Sequence, residues 1–75
     1  RGWAVVGKDF KYVLYRYYKN KEQLFDLSKD PYEIQNLAVD KNYNSQLLEM
    51  REKLYRWGEK LHDKMLVRLL QNERN

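Results

Sequence analysis

Apolar positions along this chain change their period near residue 40, which divides the sequence into a strand-forming part and a helix-forming part. Residues 3–6 are a short apolar run, and Gly7, Lys8 and Asp9 supply turn chemistry. Residues 10–18 are dense in aromatic and β-branched side chains, so the pattern predicts two antiparallel strands joined by a tight turn. Successive side chains of a strand alternate, so Phe10, Tyr12 and Leu14 share one face and Val13, Tyr15 and Tyr17 the other. Both faces are apolar. A strand of a free-standing two-layer domain normally has one polar face, so this one expects cover on both sides, more than 75 residues readily provide. Residues 19–22 read as a polar connection and residues 23–27 as a short third strand pairing back as a hairpin. Asp30-Pro31 then ends regular pairing, because proline fixes φ and drives the preceding residue out of helical geometry.

Beyond Asp40, Tyr43, Leu47, Met50, Leu54, Trp57, Leu61, Met65 and Leu69 recur at spacings of three or four, the period of an amphipathic helix with one apolar stripe. Glu49 with Lys53 and Glu52 with Arg56 are acid-before-base pairs on the polar side, and Asp40 or Asn42 can cap the start. Gly58 and the polar residues 59–64 predict a bend, with a stop near Trp57 and a restart at Met65; residues 71–75 are expected to fray. These pieces give an α+β fold, a small antiparallel sheet of three to four strands packed against one long C-terminal helix. It is read as a single unit, with sheet and Asp-Pro turn in residues 1–38 and helix in residues 40–70, bent within 58–64.

Length allows one small domain, since a chain of this size buries only about 60% of the surface its unfolded form exposes. At 43% hydrophobic and 35% charged residues the chain has a globular rather than a disordered composition. It lacks cysteine, which removes disulfides, thiolate metal sites and cysteine nucleophiles but leaves the compartment open. No apolar run reaches the ~20 residues of a membrane helix, and no signal peptide leads the chain. Starting at Arg1 without a methionine, it reads as a fragment or a processed chain. The net charge of +4 is spread evenly, +2 over residues 1–42 and +2 over residues 43–75, with acids and bases interleaved as on a solvated surface.

Candidate chemistry is sparse. Asp26, Ser28, Asp30 and Glu33 fail as a calcium loop, because Pro31 stands where the turn needs glycine and Leu37 where the twelfth-position glutamate belongs. A turn held by carboxylate-to-backbone bonds is the better reading. His62 is the single histidine and lies in no HExxH spacing; Ser28 and Ser45 lie in no nucleophile elbow; three isolated glycines form no phosphate loop. Two binding alternatives stay open. Phe10-Lys11-Tyr12 and Tyr15-Arg16-Tyr17-Tyr18 interleave rings with cations as single-strand nucleic-acid platforms do, although the rings fall on both strand faces. The helical stripe could also zip to a second copy.

Residues 23–38, QLFDLSKDPYEIQNLA, closely resemble a signature near the C-terminus of the sulfatase family: a Leu-Tyr/Phe-Asp-Leu strand, then Asp-Pro, Glu and Asn-Leu. Leu24, Phe25, Asp26, Leu27, Asp30, Pro31, Glu33, Asn36 and Leu37 fill every position of it. Residues 9–15 look like the strand that precedes the signature and residues 43–57 like the closing helix, so the resemblance spans residues 1–63. It implies a noncatalytic C-terminal subdomain of a formylglycine-dependent sulfuric ester hydrolase, completing the fold against the N-terminal catalytic domain and available to line its substrate pocket. Calcium and formylglycine are what the resemblance implies for the parent enzyme, on residues this chain does not contain. It implies sulfated carbohydrate as a substrate of the whole enzyme and a periplasmic, secreted or lysosomal setting; the interleaved charges and the lack of a long apolar run lead us to expect no nucleic acid and no membrane as partner. Within the signature, Asp26 and Asp30 are expected to tie the chain reversal, Glu33 and Asn36 to bond backbone groups of the irregular turns, and Leu37 to plug the core beneath the helix.

Overall fold

In the computed structural model, residues 2–17 and 21–74 are described. Strands β1 (Gly2–Val6), β2 (Phe10–Tyr15) and β3 (Glu22–Asp26) form an antiparallel sheet in the order β1-β2-β3. A 3-10 turn, Lys41–Tyr43, leads into helix α1 (Asn44–Lys60), and helix α2 (Lys64–Arg74) follows. The α+β class and the three-stranded sheet agree with the sequence reading. β3 begins and ends one residue earlier than expected, and β2 stops at Tyr15. The expected last residue of β2, Tyr18, and Lys19 and Asn20 of the polar connection lie outside the described residues.

The alternation of β2 decides where the core forms. Tyr12 and Leu14 are fully buried on the face that receives α1, and cross-strand register sets Leu24 beside Tyr12 and Trp3 beside Leu14 on that same face. Helix α1 answers with Leu47, Met50 and Leu54, and Leu37 closes the same cluster at 6% exposure. Phe10 meets Tyr43 edge-on, ring centroids 6.1 Å apart, where the 3-10 turn crosses the hairpin. On the opposite face Val13 and Phe25 are also buried. The expectation that covering both faces exceeds what this chain provides holds in part: the chain buries Val13 and Phe25 itself, while Tyr15 is half-buried and Tyr17 is 73% exposed. The far face of β1 stays exposed at Gly2, Ala4 and Val6. Gly2 is glycine for a packing reason, since a Cβ there would stand 2.9 Å from the Tyr15 ring.

The helical half is interrupted as the sequence led to expect, with the stop at Lys60 rather than near Trp57 and the restart at Lys64 rather than Met65. Helix α1 ends at Lys60, and residues 61–63 form a break in which His62 takes a left-handed φ of 57°. Those residues reset the helical phase. Past the break the core positions are Leu66 and Leu70 rather than Met65 and Leu69, and Trp57 and Leu61, placed on the stripe by spacing alone, are 58% exposed. Asp63 restarts the helix by accepting from the Leu66 amide at 3.1 Å, satisfying one of the orphan donors of the first turn. Gly58 lets α2 fold back closely, since a Cβ there would meet Leu66 at 3.1 Å and Val67 at 3.3 Å. Helix α2 runs through residues 71–74, which the sequence reading expected to fray; Asn75 lies outside the described residues.

Candidate functional site

The polar side chains after β3 form the densest cluster of hydrogen bonds in the described structure. Asp26, at the end of β3, is 6% exposed; its Oδ1 accepts from the Ser28 hydroxyl at 2.6 Å and from the Ser28 amide at 3.1 Å. The Ser28 hydroxyl is the main reason the Asp26 carboxyl is held below the usual carboxylate range, against the opposing effect of burial. The Asp26 carbonyl accepts from the Asp30 amide at 2.7 Å, closing the reversal. Asp30 sits before Pro31, and its Oδ2 accepts from the amides of Ile34 and Gln35, both at 2.9 Å. Both aspartates thus hold backbone, as side-chain-mimicked turns do.

Asn36 reaches beyond the turn that its neighbours suggested. Its Oδ1 accepts from the Leu24 amide at 3.0 Å, its Nδ2 donates to the Glu22 carbonyl at 3.1 Å, and the Leu37 amide donates to the Leu24 carbonyl at 2.8 Å. The expected backbone bond within the turn is present, to Ala38, and two strand contacts are added to it. A primary amide, which carries donor and acceptor together, thereby stands in for a strand residue and closes the outer edge of β3. The same Oδ1 also accepts from the Ala38 amide at 3.0 Å.

Glu33 corrects the sequence reading outright. Its carboxylate bonds no backbone group of the turn; Oε1 pairs with Lys11 Nζ at 2.9 Å, across the sheet's second face. Its own φ of 57° lies in the left-handed region, where a non-glycine residue costs ~1–2 kcal/mol. Among the other signature residues, Leu24 and Phe25 are buried in β3, the Leu27 amide bonds the Asp9 carbonyl at 2.7 Å, and Pro31 is exposed.

A second polar cluster escaped the sequence reading. Glu22 opens β3, and Arg51 grips it with two bonds, Nε to Oε2 at 2.5 Å and Nη2 to Oε1 at 2.6 Å, while the Tyr12 hydroxyl donates to Oε2 at 2.6 Å. The pair is only 15% and 12% exposed, so a charge is brought close to the core and satisfied there. Burial and the neighbouring carboxylate push the Tyr12 hydroxyl well above the ordinary tyrosine range, and the Glu22 bonds raise Arg51 further. A signal was present: Arg51 is four residues after Leu47 and three before Leu54, on the helix stripe that faces the sheet. Asp63 makes a third link, its Oδ2 accepting from the Trp3 indole at 3.0 Å and joining β1 to the α1–α2 break.

Chemically, these clusters hold backbone and bury charge. Ser28 donates to Asp26 with no histidine beside them, and His62 is exposed in the helix break. Among the described residues no three His, Asp or Glu side chains converge as a metal site, and Asp26 and Asp30 already accept backbone amides, so the carboxylates here do not fit a calcium ion. Tyr12, a candidate stacking ring, lies fully buried under α1, and the apolar stripe of α1 is occupied by the sheet.

The fold and its polar clusters therefore define a small α+β module. Residues 1–60 match the family described as N-sulphoglucosamine sulphohydrolase, C-terminal, and the chain belongs to that sulfatase C-terminal family. It is 44% identical over 55 residues, 72% of its own length, to the human protein named N-sulphoglucosamine sulphohydrolase. It is also 44% identical over 43 residues, 57% of its length, to a protein of Formosa agariphila named ulvan-active sulfatase. The matched segments cover 11% and 7% of those two relatives, so the chain spans about a tenth of their length or less.

Proposed function

We propose that this chain serves as the noncatalytic C-terminal subdomain of a sulfatase, a sulfuric ester hydrolase, and completes the fold of a much larger catalytic portion. The observation that carries the reading is the use made of the family signature: Asp26, Asp30 and Asn36 give their side-chain oxygens to backbone amides. Groups committed in this way are not available to attack a sulfate ester or to hold a proton in flight. The calcium and the formylglycine of such an enzyme belong, in this reading, to the catalytic portion. Sulfated carbohydrate is the proposed substrate class, in keeping with the names of both relatives. A contribution to the wall of the substrate pocket would come from side chains the fold leaves exposed, and Tyr32 and Ile34 on the Asp-Pro loop, 85% and 82% exposed, are of that kind.

The test is hydrolysis of an aryl sulfate by the longer polypeptide that contains this chain, beside the 75-residue chain alone. Activity in the first and none in the second is expected. Metal-dependent turnover by the isolated chain would overturn the noncatalytic reading. For the wall, Tyr32→Ala in the longer polypeptide should raise KM while leaving the melting temperature unchanged; an unaltered KM would remove Tyr32 from the pocket.

A further inference from the structure

A pocket at the tip of the β1–β2 hairpin, where the turn at Gly7 meets the first half of α1, contains a polar group the fold leaves unanswered. It holds about 320 Å³, the lower end of the range for small-molecule sites. Gln46 lines it, and the Gln46 side-chain oxygen is buried while nothing among the described residues donates to it. Such an acceptor is destabilising until a donor reaches it.

The walls carry both signs of charge. Lys8 and Lys53 stand with Asp9 and Glu49, and among the described residues none of the four enters an ion pair, so the pairing of Glu49 with Lys53 expected from their spacing is not made. The Lys53 ammonium is drawn over the turn, 3.7 Å from where a Cβ on Gly7 would stand, so it lies against bare backbone. Half-buried Phe10 and buried Met50 supply the apolar lining.

This set of groups selects its ligand. A bare cation entering the pocket would meet two ammonium groups, and a bare anion two carboxylates, so neither is matched. A sugar ring that carries a sulfate ester answers every group: hydroxyls donate to the Gln46 oxygen and to the carboxylates, the C–H face lies on the apolar lining, and the sulfate meets an ammonium. We propose that this pocket binds one sulfated sugar residue, with Gln46 accepting a hydroxyl and Lys53 holding the sulfate group. The choice of a sulfated sugar rests on the proposed function; the unanswered oxygen and the unpaired charges do not.

Hydrogen exchange on the longer polypeptide, with glucose 6-sulfate as the probe, tests the site. The Gly7 amide, bonded to the Phe10 carbonyl at 2.8 Å, reports opening of the hairpin tip. Sugar at ten times its dissociation constant should slow exchange there about tenfold and leave the Val67 amide of α2 unchanged. Gln46→Ala should abolish the slowing without lowering the melting temperature, because the oxygen it removes has no donor in the fold. Lys53→Met should weaken the response to glucose 6-sulfate and leave the smaller response to unsulfated glucose as it was. Slowing that survives Gln46→Ala, or no slowing at all, as in a pocket filled by water alone, would overturn the proposal. Equal slowing by sodium sulfate or by glycine would make this a site for anions or zwitterions and overturn it as well. Aryl-sulfate hydrolysis by the same sample separates the two readings. An active polypeptide without the slowing would sink the sugar site alone, whereas slowing without hydrolysis would support the site and sink the parent-enzyme reading alone.

Discussion

Glu22 and Arg51 stand 29 positions apart in the chain and meet in a bidentate pair with the Tyr12 hydroxyl on the same carboxylate. This single contact joins the first residue of β3, the middle of β2 and the second turn of α1, so it sets how the helix lies on the sheet. An apolar contact between the same elements could slide, but a planar guanidinium on a carboxylate has one geometry.

Breaking the pair from one side should cost far more than its net worth, because the remaining charge is left unpaired near the core. Glu22→Ala and Arg51→Ala are each expected to destabilise the chain by ~3–5 kcal/mol. Arg51→Lys should recover only part of the loss, since an ammonium cannot make two parallel bonds. Tyr12→Phe removes one hydrogen bond to a charged group and should cost ~1.5–3 kcal/mol. Urea unfolding midpoints measure all four; equal stability of Arg51→Lys and the parent chain would show that the fork geometry contributes nothing.

Asn36 separates donor from acceptor. Asn36→Ala loses the bonds to Glu22 and Leu24 and reopens the β3 edge, with an expected loss of ~1–3 kcal/mol. Asn36→Asp keeps acceptors for the Leu24 and Ala38 amides but sets a carboxylate against the Glu22 carbonyl. It should be destabilising at neutral pH and recover in acid as the carboxyl gains a proton. Thermal denaturation at two pH values distinguishes the cases, and a variant indifferent to pH would rule out the carbonyl contact.

Asp26 gives the fold an acid limb of known sign. Its carboxyl titrates lower in the folded chain than in the unfolded one. The unfolded state therefore binds its proton first as pH falls, and the stabilisation is present above the ordinary carboxylate range and lost on passing below the depressed folded value. Ser28→Ala removes the largest cause and Asp26→Asn removes the titration, so both should flatten the acid side of a stability–pH curve. Tyr12 has the opposite sense. Its folded hydroxyl is raised, so the stabilisation holds below the ordinary tyrosine value of about 10 and declines above it. Tyr12→Phe should flatten the alkaline side and leave the acid side unchanged.

Local pattern carried much of this protein. Period-two alternation over residues 10–18, the Asp30-Pro31 break and the three-four spacing from Tyr43 each concern residues near in sequence, and they are enough to place the start of β2, the end of β3 to within a residue and the start of α1. The family signature was legible for the same reason, as order and spacing within residues 24–37. Tertiary structure alone decided the rest. The three-residue break at 61–63 shifts the helical phase, so spacing selected Met65 and Leu69 where packing buries Leu66 and Leu70. Glu33 left the turn for Lys11, and Asn36 added the edge of β3 to its bond within the turn, because the strand edge and the second sheet face exist only once the hairpins have closed. Arg51 carried its signal on the apolar stripe, yet its partner could not be read, since the distance from α1 to Glu22 is a property of the packed layers. Periodicity reports on a residue's own element; hydrogen bonds between elements depend on where the folded backbone delivers each group.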